Sequence, residues 1–402
     1  MAKKPSIIFG AVGDIGFHRT IGDAMLANGA GWPFEKMQPH LSRAALLFGN
    51  MESVALPPGF PADRIDPDGL ISRMSGPACA AALKQAGFDV MNMAANHVLD
   101  AGTSGMFHTA QCLRDAGLVV GGVGRTQEEA RQMQLVEKNG ITFGFLCYCE
   151  DNNYTLCTTG PCHAYYDVGT VVEDVKRNRG RADIIVVSLH ADIEFMETPS
   201  VPRMVNSHLI AEAGADIILA HHPHVPQGIE MHGKCLIAYS LGNFVFDSHS
   251  MEYMRKHGPR TAHSFLLLMD VGADGVRSFE RVPVVVPEPP EERPWPADGA
   301  MKNGLLGYFT ALDGMLRDEE IVRRNWSSAA KRILAAELAM IGASCDADEF
   351  IRALLPRMML VAENRSAMGE VCRMARAGWD EFTRGDNTYA RPAYRLKKKS
   401  TP

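Results

Sequence analysis

The sequence has no run approaching the roughly 18 consecutive apolar residues of a membrane-spanning helix. Nor does it show a small-residue cleavage site, because Met1-Ala2-Lys3-Lys4-Pro5 runs directly into the apolar Ser6–Val12. The expectation is a cytoplasmic protein with no membrane span. A basic excess is missing too. The net charge of −6 argues against nucleic acid as the main partner. Nine cysteines, an odd number at irregular spacing, suit free thiols in a reducing compartment better than a disulfide framework. No internal repeat is visible. What remains is an ordinary globular composition, 46% hydrophobic and 22% charged over 402 residues. That length is enough for one large core and a smaller domain.

Five short apolar runs each end in residues able to bind a metal. Ser6–Val12 leads to Asp14, Ala44–Phe48 to Glu52, and Phe88–Met93 to Asn96, His97 and Asp100. Ile184–Leu189 leads to His190 with Glu194 behind it, and Ile217–Ala220 leads to His221-His222-Pro223-His224. Buried strands that deliver polar groups at their carboxyl ends are the pattern of an open α/β fold. Helical spacing over 77–86, 104–116 and 202–213, each stopped by glycine, fills the intervals. Antiparallel pairs are expected about Asn139-Gly140, His232-Gly233 and Asp274-Gly275. A layered α/β domain with mixed sheets therefore spans 1–282. Residues 283–299, dense in proline and acid, predict an extended linker. Helical patterns over 305–316, 319–342, 347–359 and 366–383 predict a helical appendage over 300–385, and 386–402 a basic, frayed tail.

The chemistry is carried by Asp14, Glu52, Asn96, His190, His222 and His224. In an extended segment His222 and His224 face the same way, with Pro223 holding the backbone between them. A carboxylate can bridge two cations, imidazoles and an amide oxygen complete each shell, and water between the cations becomes a nucleophile near neutral pH. Asn96 and His97 are adjacent and diverge, so one can bind metal while the other passes a proton to a leaving group. Duller readings stand beside each of these: a turn or cap for Asp14, Glu52 and Asn96, and a satisfied core imidazole for His190. A zinc cluster of Cys147, Cys149, Cys157 and Cys162 with His163 is disfavoured, because the spacing is irregular and Cys147 and Cys149 alternate within a strand, where burial as small hydrophobes is usual.

Taken in order, these residues resemble a known family. Gly13-Asp14, Gly49-Asn50-Met51-Glu52, Ala95-Asn96-His97 with Asp100 and Gly102, and His190 with Glu194 match its first four motifs. His221-His222-Pro223-His224-Val225 and Tyr239-Ser240-Leu241-Gly242-Asn243-Phe244 complete the set. The family is that of the CapA-type poly-γ-glutamate capsule-synthesis proteins, whose domain is similar to the calcineurin-like metallophosphoesterases. The resemblance covers about residues 6–282.

It implies a four-layer α/β/β/α metallophosphatase-like sandwich, and two divalent ions, Mn, Zn or Fe. Asp14 and His224 would hold the first, Asn96, His190 and His222 the second, and Glu52 both. His97 would be the acid, and Arg19 would hold an anionic group of the substrate. Asp100, Glu194, His221 and Asn243 would stand behind the ligands or against substrate. Phosphoesterases of this fold have a histidine where this chain has Gly16, so the first site is one ligand short unless His18 or water replaces it.

Two divalent ions less two carboxylates leave a centre near about +2, which prefers an anionic small molecule or polymer. The expected activity is hydrolysis of a phosphate ester or a γ-glutamyl-type amide. The alternatives are an accessory, non-catalytic component of polymer synthesis and a nucleotide or phosphomonoester phosphatase.

Overall fold

Strict alternation of side chains along each strand divides the apolar residues between three cores. Leu46 and Phe48 face one way and Leu47 the other; Val186 and Val187 part in the same manner, as do Leu219 and Ile218. Strands buried on both faces must read as continuous apolar runs, which is why these do. The computed structural model describes residues 5–61, 63, 69–150, 160–344 and 365–374, with 334–344 described by backbone alone.

The larger sheet runs Trp295–Pro296, Gly275–Val285, His263–Gly272, Ser6–Ile15, Leu46–Met51, Val90–Asn92, Val119–Gly121, with Asn243–Val245 pairing onto Ser6–Ile15. The second runs Ile229–His232, Cys235–Ala238, Ile217–His221, Ile184–His190, Ile141–Cys149, Gln134–Lys138. Both are mixed: the larger is parallel from Ser6–Ile15 out to its Val119–Gly121 edge and antiparallel on the other side, and the second has a parallel centre between antiparallel edges.

Between the sheets, Phe9 meets Phe143 at 5.6 Å and Phe48 stacks on Phe145 at 5.8 Å. The outer face of the first sheet is covered by Arg19–Asn28, Gly76–Ala86 and Gly102–Asp115 through Met25, Leu83 and Met106. The outer face of the second is covered by Val168–Asn178 and Val201–Glu212 through Val175 and Ile210. The result is the α/β/β/α sandwich, with a helical region after it. Among the described residues no helix is long and apolar enough to cross a membrane.

The strands run further into the motifs than their apolar stretches do. Ser6–Ile15 includes Asp14, because its pairing continues past Val12 to Asn50 and Asn243. Gly13 makes this possible. A Cβ there would lie 1.7 Å from the Gly242 carbonyl oxygen, the acceptor of the Asp14 N–H at 3.0 Å.

Three expectations need revision. The 283–299 stretch is extended but docked: its Trp295–Pro296 strand pairs with Val284 and Val285, and Glu292 and Arg293 are buried. Arg293 donates to the Trp32 carbonyl and to Glu35, both at 2.8 Å, and Glu292 accepts from the His249 N–H at 2.6 Å. Charged residues that find fixed partners turn a connector into a strap. The first helix of the expected appendage, Gly299–Leu316, inserts Leu305, Phe309 and Leu312 into the core between the sheets. Its Asp313 receives Arg281 at 2.5 and 2.9 Å and the Ile229 N–H at 2.7 Å. Finally, Cys162 is disulfide-bonded, so the cysteine count does not by itself argue for a reducing compartment. Cys147 and Cys149 are buried and not disulfide-bonded.

Helix Glu319–Ser344 sets Trp326, Ala329 and Ala330 against Ile193 and Met196 of the loop after His190, joined by Ala367 from the 365–374 helix. The patterns over 347–359 and 386–402, and that beyond 374, lie outside the described residues.

Phe309→Ala removes a ring packed 5.1 Å from Phe265, a change expected to cost about 3–5 kcal/mol. Denaturant unfolding followed by far-ultraviolet circular dichroism is expected to stay a single transition at a lower midpoint. A separate early transition would mean that this helix is no part of the core.

Candidate metal centre

The parallel parts of the two sheets end on the same side of the sandwich, and their last residues meet. Asp14 is in register with Asn50, and His190 with His221. Glu52 is placed by its N–H, which donates to the Ile15 carbonyl at 2.9 Å. The loop after His221 does not stay extended as its proline suggests. His222 and His224 have φ of 94° and 57°, a left-handed backbone that non-glycine residues adopt at a cost of about 1–3 kcal/mol. The kink leaves their rings 6.0 Å apart and carries both toward the carboxylates.

Donor atoms converge in three overlapping sets, each within 4.8 Å: Glu52 with His190 and His222; Asp14 with Glu52 and His224; Glu194 with His222 and His224. Glu52 belongs to the first two. Its Oε1 is 3.6 Å from His224 Nε2 and 3.9 Å from His190 Nε2. Asp14 Oδ2 is 3.6 Å from His224 Nδ1, and Asp14 Oδ1 is 3.6 Å from His221 Nδ1. The Asn96 amide oxygen lies 2.9 Å from His190 Nε2.

Around these stand residues that fix them. His97 Nδ1 meets Asp100 Oδ2 at 2.7 Å, and the same oxygen accepts the Leu70 N–H at 2.6 Å. Asn243 Oδ1 meets His224 Nδ1 at 2.9 Å, while its Nδ2 donates to the Thr261 carbonyl at 3.1 Å. Arg19, with φ of 45°, opens the helix Arg19–Asn28. His18 is buried, with neither ring nitrogen hydrogen-bonded, and covers Gly16: a Cβ at Gly16 would lie 2.5 Å from its Nδ1. It enters none of the three donor sets among the described residues.

Asn50, a motif residue to which the sequence assigns no role, ties the two sheets together. Its Nδ2 donates to Asp14 Oδ1 at 2.8 Å and meets His190 Nδ1 at 3.1 Å, while its Oδ1 accepts from Asn92 at 2.6 Å. The signal was there in period 2, since Asn50 sits two residues before Glu52. Donation from Asn50 makes His190 Nδ1 the acceptor and puts the proton on Nε2, facing Asn96; this tautomer follows from the hydrogen-bond network. A cation at Nε2 would displace that proton.

The electrostatics fit a cation. Neither oxygen of Glu52 has a hydrogen-bond partner, nor does His222 Nδ1 or either nitrogen of His221. Burial raises the Asp14 carboxyl to about 7 against the lowering effect of Asn50, and burial followed by the charge of Asp14 pushes Glu52 well above its usual range. Burial likewise depresses His221 to about 3 and His224 to about 4, and holds His190 and His222 well below the usual imidazole value. Neutral imidazoles and desolvated carboxylates without partners are what divalent cations bind.

Fold and site together define a class: a four-layer α/β/β/α sandwich with a histidine–carboxylate cluster at its strand ends. The family model of the bacterial capsule synthesis protein PGA_cap matches residues 8–248, more than half of the chain, and the protein belongs to that family. It is 29% identical over 286 residues to the capsule biosynthesis protein CapA of Bacillus anthracis, covering 69% of this chain and 67% of that one. To the PGA biosynthesis protein CapA of Bacillus subtilis it is 28% identical over 280 residues, covering 69% and 71%. A probable polyglutamine synthesis accessory protein of Mycobacterium tuberculosis is 24% identical over 213 residues, covering 49% and 55%.

Linkage sets a pH signature. The depressed histidines contribute stability above their unfolded value of 6.5, which is lost as pH falls through about 4 and 3. The raised Asp14 contributes stability below its unfolded 3.8, which is lost as pH rises through about 7. Near neutrality the metal-free centre therefore bears the cost of the desolvated carboxylate but not that of the histidines, and an added divalent ion relieves it. Mn²⁺ is expected to raise Tm most above pH 7, with the gain shrinking steadily from pH 6.5 to 4. A pH-independent shift in scanning calorimetry would contradict this.

Proposed function

We propose that the protein is a metal-dependent hydrolase acting on an anionic substrate of capsule-polymer metabolism, either a γ-glutamyl amide or a phosphate ester. The observation that carries the reading is Glu52, a buried carboxylate with neither oxygen hydrogen-bonded and shared between two donor sets. Asp14, Glu52 and His224 would hold one cation, and Glu52, Asn96, His190 and His222 a second. Bound cations supply Lewis acidity and lower the pKa of water.

The chain's own groups do the rest. Asp100 grips His97 through Nδ1 and so assigns Nε2 as the atom that exchanges a proton with the leaving group. Asn243 orients His224, and Asn50 orients both Asp14 and His190. The low accessibility of the cluster excludes bulk water, so the fixed dipoles around it act at low dielectric. Arg19, at the start of its helix beside His18, would meet the anionic group of the substrate.

A second reading, an accessory protein that binds a polymer end without cutting it, is favoured by the likeness to the mycobacterial polyglutamine synthesis accessory protein and by Gly16. The two separate on one experiment. Metal-loaded protein is tested for release of glutamate from γ-glutamyl oligomers and of phosphate from esters, beside His97→Ala. The hydrolase reading expects turnover, reduced about 10²- to 10⁴-fold in kcat by His97→Ala with metal content unchanged. A fully loaded protein that binds the oligomer and releases nothing supports the accessory reading.

A further inference from the structure

We infer that Glu194 is itself a ligand of the metal centre, the protein donor that completes the Asp14–His224 side where Gly16 offers no side chain. The inference rests on the metal-centre reading above and adds a residue and a metal preference to it.

Three observations converge on Glu194. One of its oxygens lies within 4.8 Å of a nitrogen of both His222 and His224, with Oε1 3.8 Å from His224 Nε2. Its Oε2 accepts the Tyr253 hydroxyl, which fixes the carboxylate plane and leaves Oε1 toward the histidines. Its backbone is held on both sides. Asp192 and Phe195 have φ of 90° and 60°, and the Phe195 N–H donates to the Pro223 carbonyl at 2.9 Å, joining this loop to the histidine loop. The Phe195 ring also stacks on His257 at 3.8 Å. Strained residues on either side of a carboxylate, over-determined by such contacts, mark a group that is placed for a purpose. A surface acid free to turn away from the histidines would need none of this.

The rival donor is His18, whose ring covers Gly16. It reaches no set of three donor atoms among the described residues, and its ring is held edge-on to Phe246 at 4.8 Å. Phe246 also contacts the His224 ring, at 4.9 Å. His18 is therefore packed against the aromatic wall of the centre.

A carboxylate in place of an imidazole changes the chemistry. Asp14, Glu52 and Glu194 make the centre oxygen-rich, which favours Mn²⁺ over Zn²⁺ relative to a histidine-completed site. Two divalent ions against three carboxylates leave about +1, so anion binding is weaker than two carboxylates alone would give.

The test is equilibrium dialysis against Mn²⁺ and Zn²⁺ separately, with metal counted by mass spectrometry, on full-length wild type, Glu194→Gln, Glu194→His and His18→Asn. The expected result is two ions per wild-type chain. Glu194→Gln is expected to lose one ion or weaken Mn²⁺ binding at least about 10-fold. Glu194→His is expected to keep two ions with its preference moved toward Zn²⁺, and His18→Asn to keep the wild-type count. Wild-type affinity in both Glu194 variants overturns the assignment of Glu194, as does loss of an ion in His18→Asn alone. A wild type that binds neither metal overturns the metal centre itself, and is told apart by that.

Discussion

The constraint on which the centre depends is the burial of the Glu52 carboxylate with no hydrogen-bond donor on either oxygen. An ionised carboxylate taken out of water without a partner is costly enough that the group neutralises or finds a cation. Asp14 differs. It keeps one donor in Asn50 and a longer contact from the His222 N–H, and both act against the rise that burial imposes on it. The imidazoles around these acids are all driven toward neutrality by burial, and so do not serve as the missing positive charge. A cation from outside the chain would supply that charge, in a space bounded by sets of donor atoms within 4.8 Å of one another.

The sandwich exists to hold that geometry. Interlocked phenylalanines between the sheets fix the distance between the strands bearing Asp14 and Glu52 and those bearing His190 and His221. Close backbone approach at Gly13 brings the Asn243 loop onto Asp14, and Asn243 in turn orients His224. The strap through Glu292 and Arg293, and the helix carrying Phe309, brace the loops and the sheet edges. The Glu319–Ser344 helix packs on the loop bearing Ile193 and Met196. The C-terminal region thus touches the same loop that carries Glu194.

Much of this was legible in the chain and some was not. Strand ends were readable because an apolar run that stops at Asp14, His190 or His221 states both its burial and its exit. Helix limits followed glycines, as at Gly87 and Gly214. The four-layer architecture came from the family resemblance, since period-2 alternation leaves open which sheet each face meets. Asn50 was missed because its partners, Asp14, Asn92 and His190, lie 36 to 140 residues away. The kink at His222 and His224 was missed because proline restrains its own φ and its predecessor's, while left-handed backbone is set by the whole loop. Glu194 was placed behind the ligands because sequence spacing after His190 does not reveal that Asp192 and Phe195 turn the chain back. The 283–299 stretch read as a connector because composition reports proline but not the partners that bury Glu292 and Arg293.

The most direct measurement is anomalous diffraction from crystals grown with Mn²⁺. The account predicts two anomalous peaks flanking the Glu52 carboxylate, each about 2.0–2.3 Å from its nearest protein donors. Asp14 and His224 would be at one peak, and His190 and His222 at the other. A Glu52 carboxylate with no peak in contact with it, at full occupancy of Mn²⁺ elsewhere in the crystal, would contradict it.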